Sequence, residues 1–197
     1  MKPTTRAARR GLAALALTAA AVAIPTTALA ASGSPAKPAL AAQSAAAAAT
    51  PRCGTGALTV WLGIPGDAFA GGVNYQLELS NTSNHTCTLF GFPGVSALGP
   101  GGHQLGSAAG RDHADPSRLV TLGRGATAHA VLTITDVANF PSSSCGQTTA
   151  STLRVYPPGA TRSLGVPFTF RACGKSGPVY LHIRTTVGGA GIPGFSG

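Results

Sequence analysis

Arg111-Asp112-His113-Ala114-Asp115, with His103 a little upstream, is the densest group of ionisable side chains outside the extreme N-terminus. Carboxylates and imidazoles within one loop are the raw material of acid–base hydrolysis, and of an oxygen/nitrogen metal site. The spacing suits neither well. It lacks the alternating acids of a calcium loop and the paired histidines of a zinc helix. Asp67, Glu78, Asp112, Asp115 and Asp136 are the chain's only acids, too scattered to promise the convergent carboxylates of a glycosidase. A Gly-x-Ser-x-Gly elbow is also missing. The expectation is therefore a loop salt bridge from Arg111 or Arg118 to these aspartates, with no catalytic residue, no metal and no cofactor. The rival readings are a hydrolase using Asp112, His113 and Asp115, and a metal site using His103 and His113.

The second kind of chemistry is thiol chemistry. Cys53, Cys87, Cys145 and Cys173 lack the Cys-x-x-Cys spacing of a redox pair and the paired spacing of a zinc site. An even number in an exported chain points to two structural disulfides. Four cysteines allow three pairings. Cys53–Cys87 with Cys145–Cys173 is favoured, because each closes a loop of roughly thirty residues within one half of the domain.

Asn81-Thr82-Ser83 and Asn84-His85-Thr86 are both formal glycosylation sequons. Physically they read as a hairpin loop, since Asn tolerates positive φ and bonds its own backbone. Asn81, Asn84 and His85 are thus expected at an exposed tip. Glu78 falls on the polar face of a strand and is expected to be solvated or paired across strands. His129 and His182 are expected to be exposed. Trp61 is out of phase with Leu58, Val60 and Leu62, and is expected to be half-buried rather than a sugar-stacking rim aromatic.

The elements that position these groups are strands. Val73, Tyr75, Leu77 and Leu79 alternate with Asn74, Gln76, Glu78 and Ser80, a period of two, and Leu58–Leu62 does the same. Cys87 and Leu89 share one face of the next strand. Further strands are expected at 95–98, 104–107, 118–122, 127–134, 152–156, 164–170 and 179–186. Gly71-Gly72, Gly99-Pro100-Gly101-Gly102, Gly123-Arg124-Gly125 and Pro157-Pro158-Gly159 punctuate them. No window in this region has a helical period, so the expected fold class is an all-β antiparallel sandwich.

The flanks have other compositions. Lys2, Arg6, Arg9 and Arg10, the apolar run Leu12–Ile24 and the small-x-small site Ala28-Leu29-Ala30 read as a secretory signal over residues 1–30. The run is shorter than the ~20 residues that cross a bilayer as a helix, so no stable span is expected after cleavage. Paired Arg9-Arg10 leaves both the general and the twin-arginine export routes open. Residues 31–52 are an Ala/Pro/Ser spacer expected to be disordered, and residues 188–197 a flexible Gly-rich tail. Between them, residues 53–187 make one domain.

Charge excludes one class of partner. The chain carries a formal +9, but four of its fourteen Lys and Arg lie in the signal, leaving ten against five acids. The remaining basic residues are scattered, without the basic stripe and interleaved aromatics of a nucleic-acid binder.

The string Leu79-Ser80-Asn81-Thr82-Ser83, then Thr86-Cys87-Thr88-Leu89 and Gly91-Phe92-Pro93-Gly94-Val95, resembles the signature of a secreted actinobacterial family, domain of unknown function 4232. Leu122-Gly123-Arg124-Gly125-Ala126, Leu153-Arg154-Val155-Tyr156-Pro157-Pro158-Gly159 and the closing Cys173 agree with it. The position usually filled by Pro-Gly is Arg124-Gly125 here. The resemblance implies an immunoglobulin-like β-sandwich, exported behind a disordered spacer, and carries no catalytic assignment. The resulting expectation is a secreted, non-catalytic binding domain whose partner is an envelope polymer or another exported protein. Its contacts are expected from Asn81, Asn84, His85, His103, Arg111, Asp112, His113 and Asp115, in loops clustered at one end of the sandwich.

Overall fold

The computed structural model describes residues 49–191. The expected signal, most of the expected spacer and residues 192–197 lie outside the described residues.

In chain order the strands are β1 (Leu58–Phe69), β2 (Gly72–Asn81), β3 (Cys87–Phe90), β4 (Gly94–Leu98), β5 (Gln104–Leu105) and β6 (Gly110–Arg111). They continue with β7 (Leu119–Leu122), β8 (Thr127–Thr135), β9 (Gln147–Tyr156), β10 (Leu164–Cys173), β11 (Leu181–Ile183) and β12 (Val187–Gly188). A single helical turn, α1 (Ser142–Cys145), precedes β9. One sheet has the order β1-β2-β8-β11-β6, with β12 also paired to β8; a second has the order β10-β9-β4-β5; β3 and β7 pair separately. All pairings between these strands are antiparallel except β6 with β11.

Alternation along the strands builds the layers. Leu77 of β2, Ala130 and Leu132 of β8, and Leu181 and Ile183 of β11 meet Val95 and Ala97 of β4, Leu153 and Val155 of β9, and Val166 of β10 in one core. A smaller core joins Leu58, Leu79 and Ala128 of the first sheet to Leu89, Val120 and Leu122 of the β3–β7 pair. Apolar faces of separate sheets packed on one another define a β-sandwich. Burying each of these leucines contributes about 1.5–3 kcal/mol.

A disulfide sits in each core. Cys53–Cys87 closes 34 residues of sequence separation and Cys145–Cys173 closes 28, the favoured pairing. Loops of that size correspond to about 3–4 kcal/mol of stabilisation per bridge on chain-entropy arguments. Thr88, on the strand face opposite Cys87 and Leu89, is buried as well. Its hydroxyl donates to the Pro51 carbonyl at 3.2 Å, and its backbone exchanges bonds with Pro51 and Cys53, so the residues before β1 cover it.

Three local features depart from the sequence reading. β1 runs on to Phe69 through Pro65, which the ladder accommodates with register shifts on either side of that residue. Pro is tolerated there because β1 is an edge strand. β6 and β12 are two-residue strands too short to leave a period. The expected loose tail is also held over its described part: Gly188 pairs with Ala128, and the Gly189 amide donates to the Thr127 carbonyl at 2.9 Å.

Candidate functional site

The loop after β6 is brought together, with a different partner from the one expected. Arg184, just past β11, places Nε 3.2 Å from Asp112 Oδ2 and a terminal guanidinium nitrogen 3.9 Å from Asp115 Oδ2. Asp112 also accepts the Ala114 amide at 3.0 Å. That amide bond, followed by the Arg184 contact, holds its carboxyl below the usual carboxylate range. Arg111 turns away, its guanidinium 5.8 Å from the centre of the Phe92 ring, and His113 packs on the same ring at 4.7 Å. Parallel pairing of Arg111 with Ile183 brings Arg184 to the aspartates. The acids are thus engaged by a cation and His113 by an aromatic ring.

Asn81 is not at the tip. It is fully buried. Its Nδ2 donates to the carbonyls of His85 at 2.9 Å and Leu122 at 3.0 Å, while Oδ1 accepts the Ser83 amide at 3.0 Å and hydroxyl at 2.7 Å. Asn81 is a structural pin between the β2–β3 loop and the β7–β8 turn, inaccessible as a contact or a sequon. Asn84 and His85 remain exposed beside it. His103 is exposed on the β4–β5 hairpin, where its ring lies against Gly99 and Gly101. The three loops therefore stand on different elements: the end of β2, the β4–β5 hairpin and the β6 edge. Among the described residues, no group of three or more His, Cys, Asp or Glu side chains converges to hold a metal ion.

The outer face of the first sheet holds what the sequence reading missed. Trp61, Glu78, His129 and Val187 stand opposite one another across β1, β2, β8 and β12. Trp61 is 45% exposed, with its indole N–H donating to Ser80 Oγ at 3.4 Å. His129, expected to be exposed, is buried, and so is Glu78, expected solvated or paired across strands, which stands opposite it. The cover is the segment Gly189–Gly191: His129 Nδ1 meets the Gly189 carbonyl at 2.8 Å, and the Gly191 amide donates to Glu78 Oε1 at 2.8 Å. Burial pushes the Glu78 carboxyl above its ordinary value, more than the Gly191 bond and nearby His129 lower it.

Several openings mark the sides of the sandwich. Between the edges of β1 and β10 lies a groove of about 480 Å³ walled by Trp61, Pro65, Tyr75, Pro167 and Phe168. Tyr75 continues into a neighbouring hollow of about 370 Å³ bounded by Phe69, Asp136, Phe170 and Arg171. Phe168 ties the two together, edge-on to Tyr75 at 5.0 Å and stacked on Phe170 at 5.2 Å. A further cleft of about 510 Å³ lies between β7 and β12, walled by Asp115, Arg118, Leu119, Thr185 and Val187. Leu119 is 66% exposed and its cross-strand neighbour Phe90 is 56% exposed. No helix among the described residues is long and apolar enough to cross a membrane.

These features define a class: a small antiparallel β-sandwich, stapled by two buried disulfides, with apolar openings at its sheet edges and its one Asp/His loop closed by an arginine. The chain belongs to the family described as domain of unknown function (DUF4232), whose model matches residues 53–188. No curated protein and no solved structure matches it.

Proposed function

We propose that this domain is exported and works by surface contact, without catalysis, on a polymer of the cell envelope. The observation that carries the reading is the groove between β1 and β10, with its aromatic walls and exposed Trp61. Aromatic faces flanked by few charges suit the alternating C–H faces and hydroxyls of a glycan strand. Arg171 at the far end of the adjoining hollow suits an anionic substituent. Two disulfides fit an oxidising, extracytoplasmic compartment. Engagement of Asp112 and Asp115 by Arg184 speaks against the rival hydrolase.

A second reading, contact with another exported protein, is favoured by the exposed Phe90–Leu119 pair beside Arg118. Exposed apolar pairs rimmed by charge are a common form of protein contact.

A thermal-shift series on the mature chain separates the two, using purified wall glycan, anionic wall polymer and an extract of exported proteins. A ligand at about 100 times its Kd adds about 2.7 kcal/mol. The glycan reading expects a shift that Trp61→Ala abolishes and Leu119→Ser leaves intact. The opposite pattern replaces it with the protein-contact reading, and glycan binding retained in Trp61→Ala overturns the β1–β10 groove as the site.

A further inference from the structure

The buried carboxylate under the C-terminal segment has an unfinished hydrogen-bond inventory. Glu78 Oε1 accepts from Gly191, but Glu78 Oε2 and the neighbouring Gln76 Oε1 are buried with no partner among the described residues. Buried polar atoms are nearly always paired, and an orphan is destabilising. Both side chains project from the same face of β2, two residues apart, and both flank Gly191. The Gly191 amide is 2.8 Å from Glu78, and a Cβ on Gly191 would stand 2.5 Å from Gln76 Oε1. Two buried acceptors on one strand face, both beside Gly191, thus lack a donor. A protonated carboxyl supplies it and satisfies both atoms.

We propose that residues Gly189–Gly191 form a proton-operated latch: with a proton on Glu78 Oε2 bridging to Gln76 Oε1 they close over the sheet, and loss of that proton to solvent releases them. Release exposes Gln76, Glu78 and His129 as a polar patch beside Trp61, the residue at the rim of the β1–β10 groove.

The groups around Glu78 support this assignment of the switch. From β8 the facing titratable group is His129; from β1 the neighbours are Trp61 and Gly63, and from β12 Val187, none of which ionises. His129 Nδ1 faces a carbonyl and must carry hydrogen to bond it. Neutral and protonated imidazole both meet that need, so His129 anchors the segment in either charge state. Glu78 changes its hydrogen-bonding role with its proton. Closing the latch desolvates Glu78 and raises its pKa, so closure and proton uptake are linked. The stabilisation of the closed form is fully present below the ordinary value of 4.5 and fades as pH rises through the raised value.

The chain contains one glutamate, so full-length protein labelled with ¹³C at glutamate Cδ shows a single glutamate carboxyl resonance to titrate. The expected midpoint lies above 4.5 in the native chain. It returns to the ordinary value in Gly191→Ala, whose methyl collides with Gln76, while far-UV circular dichroism stays native. Glu78→Gln, which keeps the shape and supplies a permanent donor, is expected to hold the Gly191 amide protected from exchange with no change across pH 4–8. A native midpoint at or below 4.5 would mean that the Gln76 amide donates to a carboxylate, and would overturn the latch. So would an unchanged midpoint in Gly191→Ala, or loss of Gly191 protection in Glu78→Gln.

Discussion

Arg184 Nε lies 3.2 Å from Asp112 Oδ2, joining the end of β11 to the loop that leaves β6. Both side chains are about one-third exposed, so water screens the pair and its contribution to stability is small, about 0–1 kcal/mol. Its effect on protonation is easier to read. Asp112 has a lowered pKa, so its contribution is present above the ordinary value of 3.8 and lost as pH falls through the lowered one. Arg184→Met is expected to move the Asp112 midpoint upward, by carboxyl NMR, while unfolding free energy falls by about 1 kcal/mol or less. The midpoint should stay below the ordinary value, because the Ala114 amide bond is the larger cause and survives.

Asn81 and Asn84 separate by role despite sharing a sequon pattern. Asn81→Ala removes the donor from the carbonyls of His85 and Leu122 and the acceptor for Ser83, in a buried site. Leaving buried groups unpaired costs about 1–3 kcal/mol each, so a loss of about 2–4 kcal/mol is expected in urea unfolding with unchanged slope. Asn84→Ala, at an exposed position, should fall within about 0.5 kcal/mol of the native chain. Equal effects of the two substitutions would refute the pin assigned to Asn81.

This contrast also shows which parts of the molecule were legible in its sequence. Leu77 and Leu79 announce the core because a strand's period of two is carried by the side chains themselves. The same rule places Gln76 and Glu78 on the other face correctly, yet reads Glu78 as solvated or paired across strands and gives no sign of a cover. What covers it is Gly189-Ala190-Gly191, a segment with no apolar side chain larger than a methyl, which binds through its backbone and leaves no periodic trace. Arg184 was missed for a related reason. It reaches Asp112 through the two-residue pairing of β6 with β11, and parallel contacts between distant segments have no local signature. Asn81 was read correctly as a turn-former, since Ser83 does bond its side chain. Its burial depends on the β7–β8 turn, forty residues further along the chain.

Gly106 and Tyr180 provide a test of the packing of the main core beside Cys173. Gly106 has φ +62°, and a Cβ there would lie 2.7 Å from the Cys173 carbonyl oxygen and 3.0 Å from the Tyr180 ring. Left-handed backbone costs a non-glycine residue about 1–2 kcal/mol before any collision. Tyr180 cannot yield readily, because it is fully buried, with its hydroxyl 3.4 Å from the Leu105 carbonyl. Gly106→Ala is therefore expected to destabilise by about 2–4 kcal/mol in chemical unfolding, and to disturb the Cys145–Cys173 end of the sandwich. Tyr180→Phe keeps the ring and loses one long hydrogen bond, so a cost of about 1 kcal/mol is expected. Burial pushes the Tyr180 phenol up to about 12. Spectrophotometric titration of the native chain against Tyr180→Phe should thus differ by a tyrosinate signal that appears only near pH 12. Because the folded pKa is raised, the neutral phenol favours folding. The resulting stability should decline as pH climbs toward that value, and this decline should be reduced in the phenylalanine variant.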